Sequence, residues 1–163
     1  MAVIDIGSAA TDRSGTPAVA TLTFIAAENP ANATGALTSM EFYAAADIGG
    51  MKAGTFYSAG NSDYTMRDKE AIGTVLAGEK RTFSGLDCSV TTGDLLGTYF
   101  TSGTIEKDES GDGVYYYSGD GFNGTQTYTF VADRTYSQYG EGATTAVAIP
   151  RYGFVLFQDP GIV

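Results

Sequence analysis

The stretch Arg81–Thr104, RTFSGLDCSVTTGDLLGTYFTSGT, reads as two β-strands around a tight reversal. In the first, Leu86, Cys88 and Val90 alternate with Asp87 and Ser89, so the apolar set falls on one face. Thr92-Gly93-Asp94 supplies the turn, because glycine tolerates positive φ and aspartate bonds its own backbone. In the second, Leu96, Thr98 and Phe100 share one face and Leu95, Gly97 and Tyr99 the other. The rest of the chain reads as further strands beside or across from this pair.

Composition points the same way. The 163 residues suit one domain spanning 1–163, and a chain of that size buries roughly 68–70% of its unfolded surface. Charged residues make up 17%, against a usual value of about 25%. The 22 glycines, 11 tyrosines and 9 phenylalanines are the material of many turns and short strands.

A net charge of −10 argues against a phosphate backbone or an anionic membrane surface as partner, so neither nucleic acid nor membrane is expected. Cys88 is the one cysteine, so no intrachain disulfide forms, and its phase with Leu86 and Val90 makes it a small core residue. The sequence has no histidine, which removes the commonest general base and transition-metal ligand. Residues 1–13 have no basic start, and Asp5 interrupts their apolar run, so they do not read as a signal peptide. No apolar run approaches the ~18 residues of a membrane span. Extracellular-type β texture without an export signal suggests a virion or extracellular assembly made in a cytoplasm.

Taken in order, Ala2–Ile6 and Ala18–Ala26 read as strands, with Ser8–Pro17 irregular between them. Glu28 to Gly35 is a loop, since Pro30 biases Asn29 away from helix. Ala36–Ala45 and Met51–Ala59 read as separate strands, with Gly49-Gly50 as the break. Gly60-Asn61-Ser62 is a turn and Asp63–Arg67 a short strand. Asp68–Ala77 places Ile72, Val75 and Leu76 at helical spacing, but Gly73 costs about 1 kcal/mol in a helix, which favours strand or irregular structure.

Ser-Gly-Asp-Gly occurs at 110–113 and 118–121, bracketing Val114–Tyr117 as turn, strand, turn. Thr125–Val131 is a strand, Thr135–Thr145 a loop or edge, and Ala146–Pro150 and Tyr152–Phe157 close the chain. About twelve short strands without helical crossovers predict an all-β fold, a two-sheet jelly-roll-like antiparallel sandwich.

Candidate sites are few. Asp108–Gly113 matches the first half of a calcium loop, but the twelfth position is Gly119 instead of glutamate, so Asp108 and Asp112 are weak calcium candidates. Val114–Tyr117 places two tyrosines on an exposed face beside Asp112 and Asp120, which suits a sugar cleft, or else turns alternate tyrosines into a core rim or a subunit interface. Asn32-Ala33-Thr34 and Asn123-Gly124-Thr125 fit the glycosylation rule by composition alone. No spacing singles out a catalytic pair of carboxylates, so no catalytic residue, cofactor or metal ligand is assigned.

Three stretches resemble small β-sandwich structural proteins of tailed phages and prophages: residues 4–14, 29–58 and 81–108. They carry IDIGSAATDR, NPANATG, and a pattern from Phe83-Ser84-Gly85-Leu86 to Gly93-Asp94 and Tyr99. The resemblance implies a jelly-roll or lectin-like sandwich that self-associates on a virion or in a fibre, and it carries over no catalytic residue. The expectation is a non-enzymatic, self-assembling structural protein: a capsid-decoration or tail-associated subunit or a filament subunit, partnered by itself and other virion proteins. A terminal segment, Met1–Ile6 or Gly153–Val163, would pair with a neighbour's sheet edge. The alternative is a carbohydrate-binding module.

Overall fold

The computed structural model describes residues 2–145. Its elements are β1 Val3–Gly7, β2 Ala18–Val19, β3 Leu22–Ala26, β4 Gly35–Gly60, β5 Asp63–Val75, β6 Lys80–Val90 and β7 Leu95–Tyr99. They continue with β8 Ser102–Ile105, β9 Lys107–Asp108, β10 Val114–Ser118, β11 Thr125–Thr127, β12 Thr129–Val131, β13 Thr135–Tyr136 and β14 Gln138–Thr144. The fold is all-β, and all of its strand pairings are antiparallel. The two closing strands expected over 146–157 lie outside the described residues.

β4 organises the molecule. It runs for 26 residues straight through Gly49-Gly50, where the sequence predicted a break. Gly50 has φ +61°, and the ladder to β5 slips between Ile48 and Met51. The glycines therefore bulge and bend one strand instead of ending it. Before the bend β4 pairs with β14 and β6; after it, with β5 and β7. One strand thus turns the corner between two layers.

The first layer has the order β1-β14-β4-β6. The second runs β5-β4-β7-β3-β10-β12. Because β11 pairs with β5 and β12 with β10, the segment 125–131 joins both ends of that layer and curls it round. The product is an antiparallel β-sandwich with two cores. Ile4, Ile6, Leu37, Met40, Leu96 and Phe100 belong to the core between the layers. Ile25, Phe56, Tyr64, Leu95, Phe122 and Tyr128 fill the curled layer.

β7 lies between the two cores. Its two expected faces are both apolar for that reason: Leu96 enters the first core, while Leu95 enters the second with Tyr99 packed against it. Cys88 and Val90 are buried as the alternation predicts.

Several expectations change. β6 and β7 flank the Thr92-Gly93 turn, yet they do not pair with each other; each takes a different half of β4. Asp63–Val75 is one long strand, with Gly73 at φ +81°. Ala18–Ala26 is split at Thr21, whose φ is +68°. Residues 138–144, read as a loop or edge, form an interior strand. Thr125–Val131 is interrupted at Tyr128, which is buried while Phe130 is exposed.

The edges are closed by side chains. The Asp5 N–H donates to Asn32 Oδ1 at 3.1 Å, and Asn32 Nδ2 donates to the Val3 carbonyl at 3.3 Å. Asn29 Nδ2 donates to the Gly7 carbonyl at 3.1 Å. The asparagines of the Asn29–Asn32 turn thus stand in for a neighbouring strand. On β6, the N–H groups of Ser89 and Asp87 donate to Asp68 at 2.7 Å and Glu70 at 2.9 Å. Burial alone would raise the Asp68 pKa, but the N–H groups of Ser89 and Lys69 hold it below its ordinary value. Residues 3–7 are therefore not a free arm for a neighbour: they pair with β14, and Ile4 and Ile6 are fully buried.

Candidate functional site

Four separated segments build an open cleft of about 550 Å³. Ser8 follows β1, Glu28 and Asn29 follow β3, Ser110–Asp112 lead into β10, and Thr135 opens β13. Ser8 Oγ donates to Glu28 Oε2, and the one proton of Thr135 Oγ1 is shared between the Ser110 carbonyl at 2.7 Å and Glu28 Oε1 at 3.0 Å. Arg13 is the lining cation, and each of its three nitrogens makes one hydrogen bond. Nε donates to Ser137 Oγ at 2.8 Å, Nη1 pairs with Asp108 at 3.0 Å, and Nη2 donates to the Ala9 carbonyl at 2.7 Å.

The first Ser-Gly-Asp-Gly turn forms one wall. Gly111 has φ +108° and sits against Thr135 and Glu28, so a Cβ there would collide with both. Gly113, at φ +100°, lies against the ring of Phe130, where a Cβ would come within 2.6 Å of Cζ. The turn is thus wedged between the polar cleft on one side and an exposed aromatic ring on the other.

That ring ends an aromatic run. Phe130 and Tyr115 have centroids 5.0 Å apart, and Tyr115 and Tyr64 lie 4.6 Å apart. Tyr115 and Tyr117 face the second core, while Tyr116 packs against the first. Tyr115 and Tyr117 thus share one face, but it is a core rim and not an exposed face, and Phe130 is the exposed end of their cluster.

The other sequence candidates go elsewhere. Asp108 is held by Arg13 and by the N–H of Ser14 at 3.1 Å, and the Arg13 guanidinium keeps its pKa below the usual value. Asp112 is exposed, and Asp120 pairs with Lys52. Among the described residues no group of three or more Asp, Glu or Cys side chains converges on a metal position. Cys88 is fully buried, and burial, with Asp68 nearby, pushes its thiol up to about 12, which keeps it a thiol at neutral pH. Asn32 is the edge cap of β1, and the Asn123 carbonyl accepts from Gln126 at 3.0 Å.

No family model matches the sequence, and no curated protein matches it.

Glu28, Asn29, Ser8 and Thr135 carried no signal in the sequence. They come from segments up to 127 positions apart in the chain, Ser8 to Thr135, and only the pairing of β14 with β1 and of β3 with β10 brings those segments together. The Ser-Gly-Asp-Gly at 110–113, which the sequence marks as a turn, is the one local hint, and it forms a wall of the cleft.

Proposed function

We infer that this chain is a non-catalytic structural subunit that associates with copies of itself, of the kind used in virions or extracellular filaments. The observation that carries the reading is where four of the five exposed large apolar side chains of the described residues sit, Phe130 being the fifth. Val3 (65% exposed) lies opposite Ala143, which lies opposite Ala36, at the end of the sandwich where β4 begins. Tyr57 (40%) shares that end, beside Arg67 and its partner Asp94, whose carbonyl accepts from Ala31. Val19 (58%) lies opposite Thr104, which lies opposite Ala46, at the bend of β4. Leu76 (49%) follows Val75, opposite Ile48, at the same bend.

Two apolar ends on one body favour head-to-tail contacts, which are heterologous and grow into rows. The side-chain caps on β1 and β6 disfavour growth by strand addition, so the contact is made through ends. A stable contact of this type buries on the order of 1,000 Å² or more.

Light scattering and negative-stain microscopy test this directly. The wild type is expected to form long species, and Val3→Asp or Leu76→Asp to stop at monomers. Mixing the two variants should give dimers, since each retains one intact end. A wild type that stays monomeric at high concentration defeats the proposal.

A further inference from the structure

We propose that Asn123 is a site of spontaneous covalent modification, converting through a cyclic imide with Gly124 to a mixture of aspartate and isoaspartate, with Gln126 promoting the step. The chain has three places where Asn or Asp precedes glycine: Asp112-Gly113, Asp120-Gly121 and Asn123-Gly124. Glycine favours ring closure because no Cβ shields its nitrogen. The fold protects the first two. The Gly113 N–H donates to the Arg134 carbonyl at 3.1 Å, and the Gly121 N–H donates to Thr23 Oγ1 at 2.7 Å. The Gly124 N–H makes no hydrogen bond among the described residues, and a Cβ at Gly124 would meet nothing within 4 Å. Asn123 is exposed, and its carboxamide makes no hydrogen bond among the described residues. The other asparagines are placed less well. Asn29 precedes proline, which has no N–H to give; Asn32 spends its carboxamide on β1; and Asn61 precedes Ser62, whose side chain crowds the nitrogen.

Gln126 Nε2 donates to the Asn123 carbonyl at 3.0 Å. That carbonyl belongs to the same peptide unit as the Gly124 N–H. The bond therefore draws electron density from the nitrogen and makes its proton easier to remove. Hydroxide takes that proton, and the nitrogen's electron pair attacks Cγ of Asn123. The Cγ–Nδ2 bond breaks, and Nδ2 leaves as ammonia after taking a proton from water. Water then opens the imide. Cleavage at Cγ gives aspartate with the backbone restored; cleavage at the backbone carbonyl gives isoaspartate, with the backbone running through Cγ. Nothing is oxidised or reduced.

The surroundings give the change a structural consequence. Phe122, just before the step, is buried in the second core. Just after it, the Gly124 carbonyl accepts from the Met66 N–H at 3.3 Å, and Thr125 pairs with Thr65 where β11 joins β5. Isoaspartate adds a backbone carbon between these fixed points, which strains the pairing that closes the curled layer. Both products also add a negative charge there. This chemistry is separate from the end-to-end contacts proposed above and stands or falls without them.

The test incubates the full, folded chain in mildly alkaline buffer and follows each asparagine by peptide mass spectrometry, with isoaspartyl methyltransferase labelling to separate the two products. Both are expected at residue 123 before any other asparagine converts, and at a rate that rises with pH. Asn123→Gln, whose longer side chain closes the ring far more slowly, should remove them. Gln126→Met has a similar length and no donor, and should slow the folded chain about two- to tenfold, the range that one hydrogen bond supports. In urea, where that bond is absent, Gln126→Met and the wild type should react alike; mere loosening of the turn would speed the folded variant instead. Amide exchange in β11 should quicken in the isoaspartate fraction. The proposal is overturned if residue 123 of the folded chain stays unconverted, if another asparagine converts faster, if folded Gln126→Met reacts as fast as the wild type or faster, or if the β11 amides of the isoaspartate fraction exchange no faster than before.

Discussion

Gln138 is the side chain whose loss should hurt most. It lies in β14, in the first layer, and is fully buried. Its Nε2 donates to the Leu96 carbonyl at 2.9 Å, and its Oε1 accepts from Thr98 Oγ1 at 2.7 Å. Both partners are on β7 of the second layer, so this amide links the layers through the first core. Gln138→Ala leaves a buried carbonyl and a buried hydroxyl unpaired, each worth about 1–3 kcal/mol. It also removes four side-chain heavy atoms from a packed interior. We expect a loss of about 3–5 kcal/mol, a large share of the ~5–15 kcal/mol that holds a typical domain together. Thr98→Val keeps the shape and removes one donor, for a loss of about 1–2 kcal/mol. The double variant should cost less than the sum of the two, since Gln138→Ala already deprives Thr98 of its partner. Urea unfolding followed by circular dichroism and tyrosine fluorescence measures all three. If Gln138→Ala lies within about 1 kcal/mol of the wild type, or if the two changes simply add, the amide is not the link described.

Three further outcomes follow from buried or strained groups. Tyr128 is buried with its hydroxyl unpartnered among the described residues, so Tyr128→Phe should raise stability by about 1 kcal/mol in urea; a loss would reveal a partner for the hydroxyl. Thr21 holds φ +68°, a left-handed value that suits a β-branched residue poorly, and Thr21→Gly should gain about 0.5–1 kcal/mol, read as a raised urea midpoint. Glu106 is buried with Oε2 unpartnered, and burial raises its pKa above the ordinary 4.5, despite an N–H from Arg13. A raised carboxyl favours the folded state when protonated. Stability from this group is therefore present below pH 4.5 and lost as pH rises through the folded-state value. Unfolding free energies measured across that range should show the loss in the wild type and its absence in Glu106→Gln.

The closed edges bear on assembly as well. Asn29 and Asn32 bond the outer edge of β1, and Asp68 and Glu70 bond the N–H groups of Ser89 and Asp87 at the end of β6, so these stretches do not offer a bare row of donors and acceptors. Asp68 holds a lowered pKa, so its bonds to β6 are present at neutral pH and are lost only as pH falls below 3.8. The contacts proposed between copies are for that reason assigned to side chains at the ends of the sandwich.

Period-two patterning was enough to read strands almost everywhere. It placed Cys88 and Val90 inside, Leu96 and Leu95 on opposite faces of one strand, and turns at Gly60-Asn61 and Gly93. These are local properties, because alternation and positive φ act over a few residues. Which strand pairs with which was not legible. A glycine pair can end a strand or bulge it, and at Gly49-Gly50 the decision came from ladders on both sides of β4, which continue past the bend. Two strands joined by a tight turn pair by default, yet β6 and β7 are claimed by opposite halves of β4. Tyr128 and Phe130 alternate identically in sequence; the curl of the second layer buries one and leaves the other at its rim. The cleft belongs wholly to this second category, since long-range pairing alone can bring Ser8, Glu28, Asp112 and Thr135 to one place.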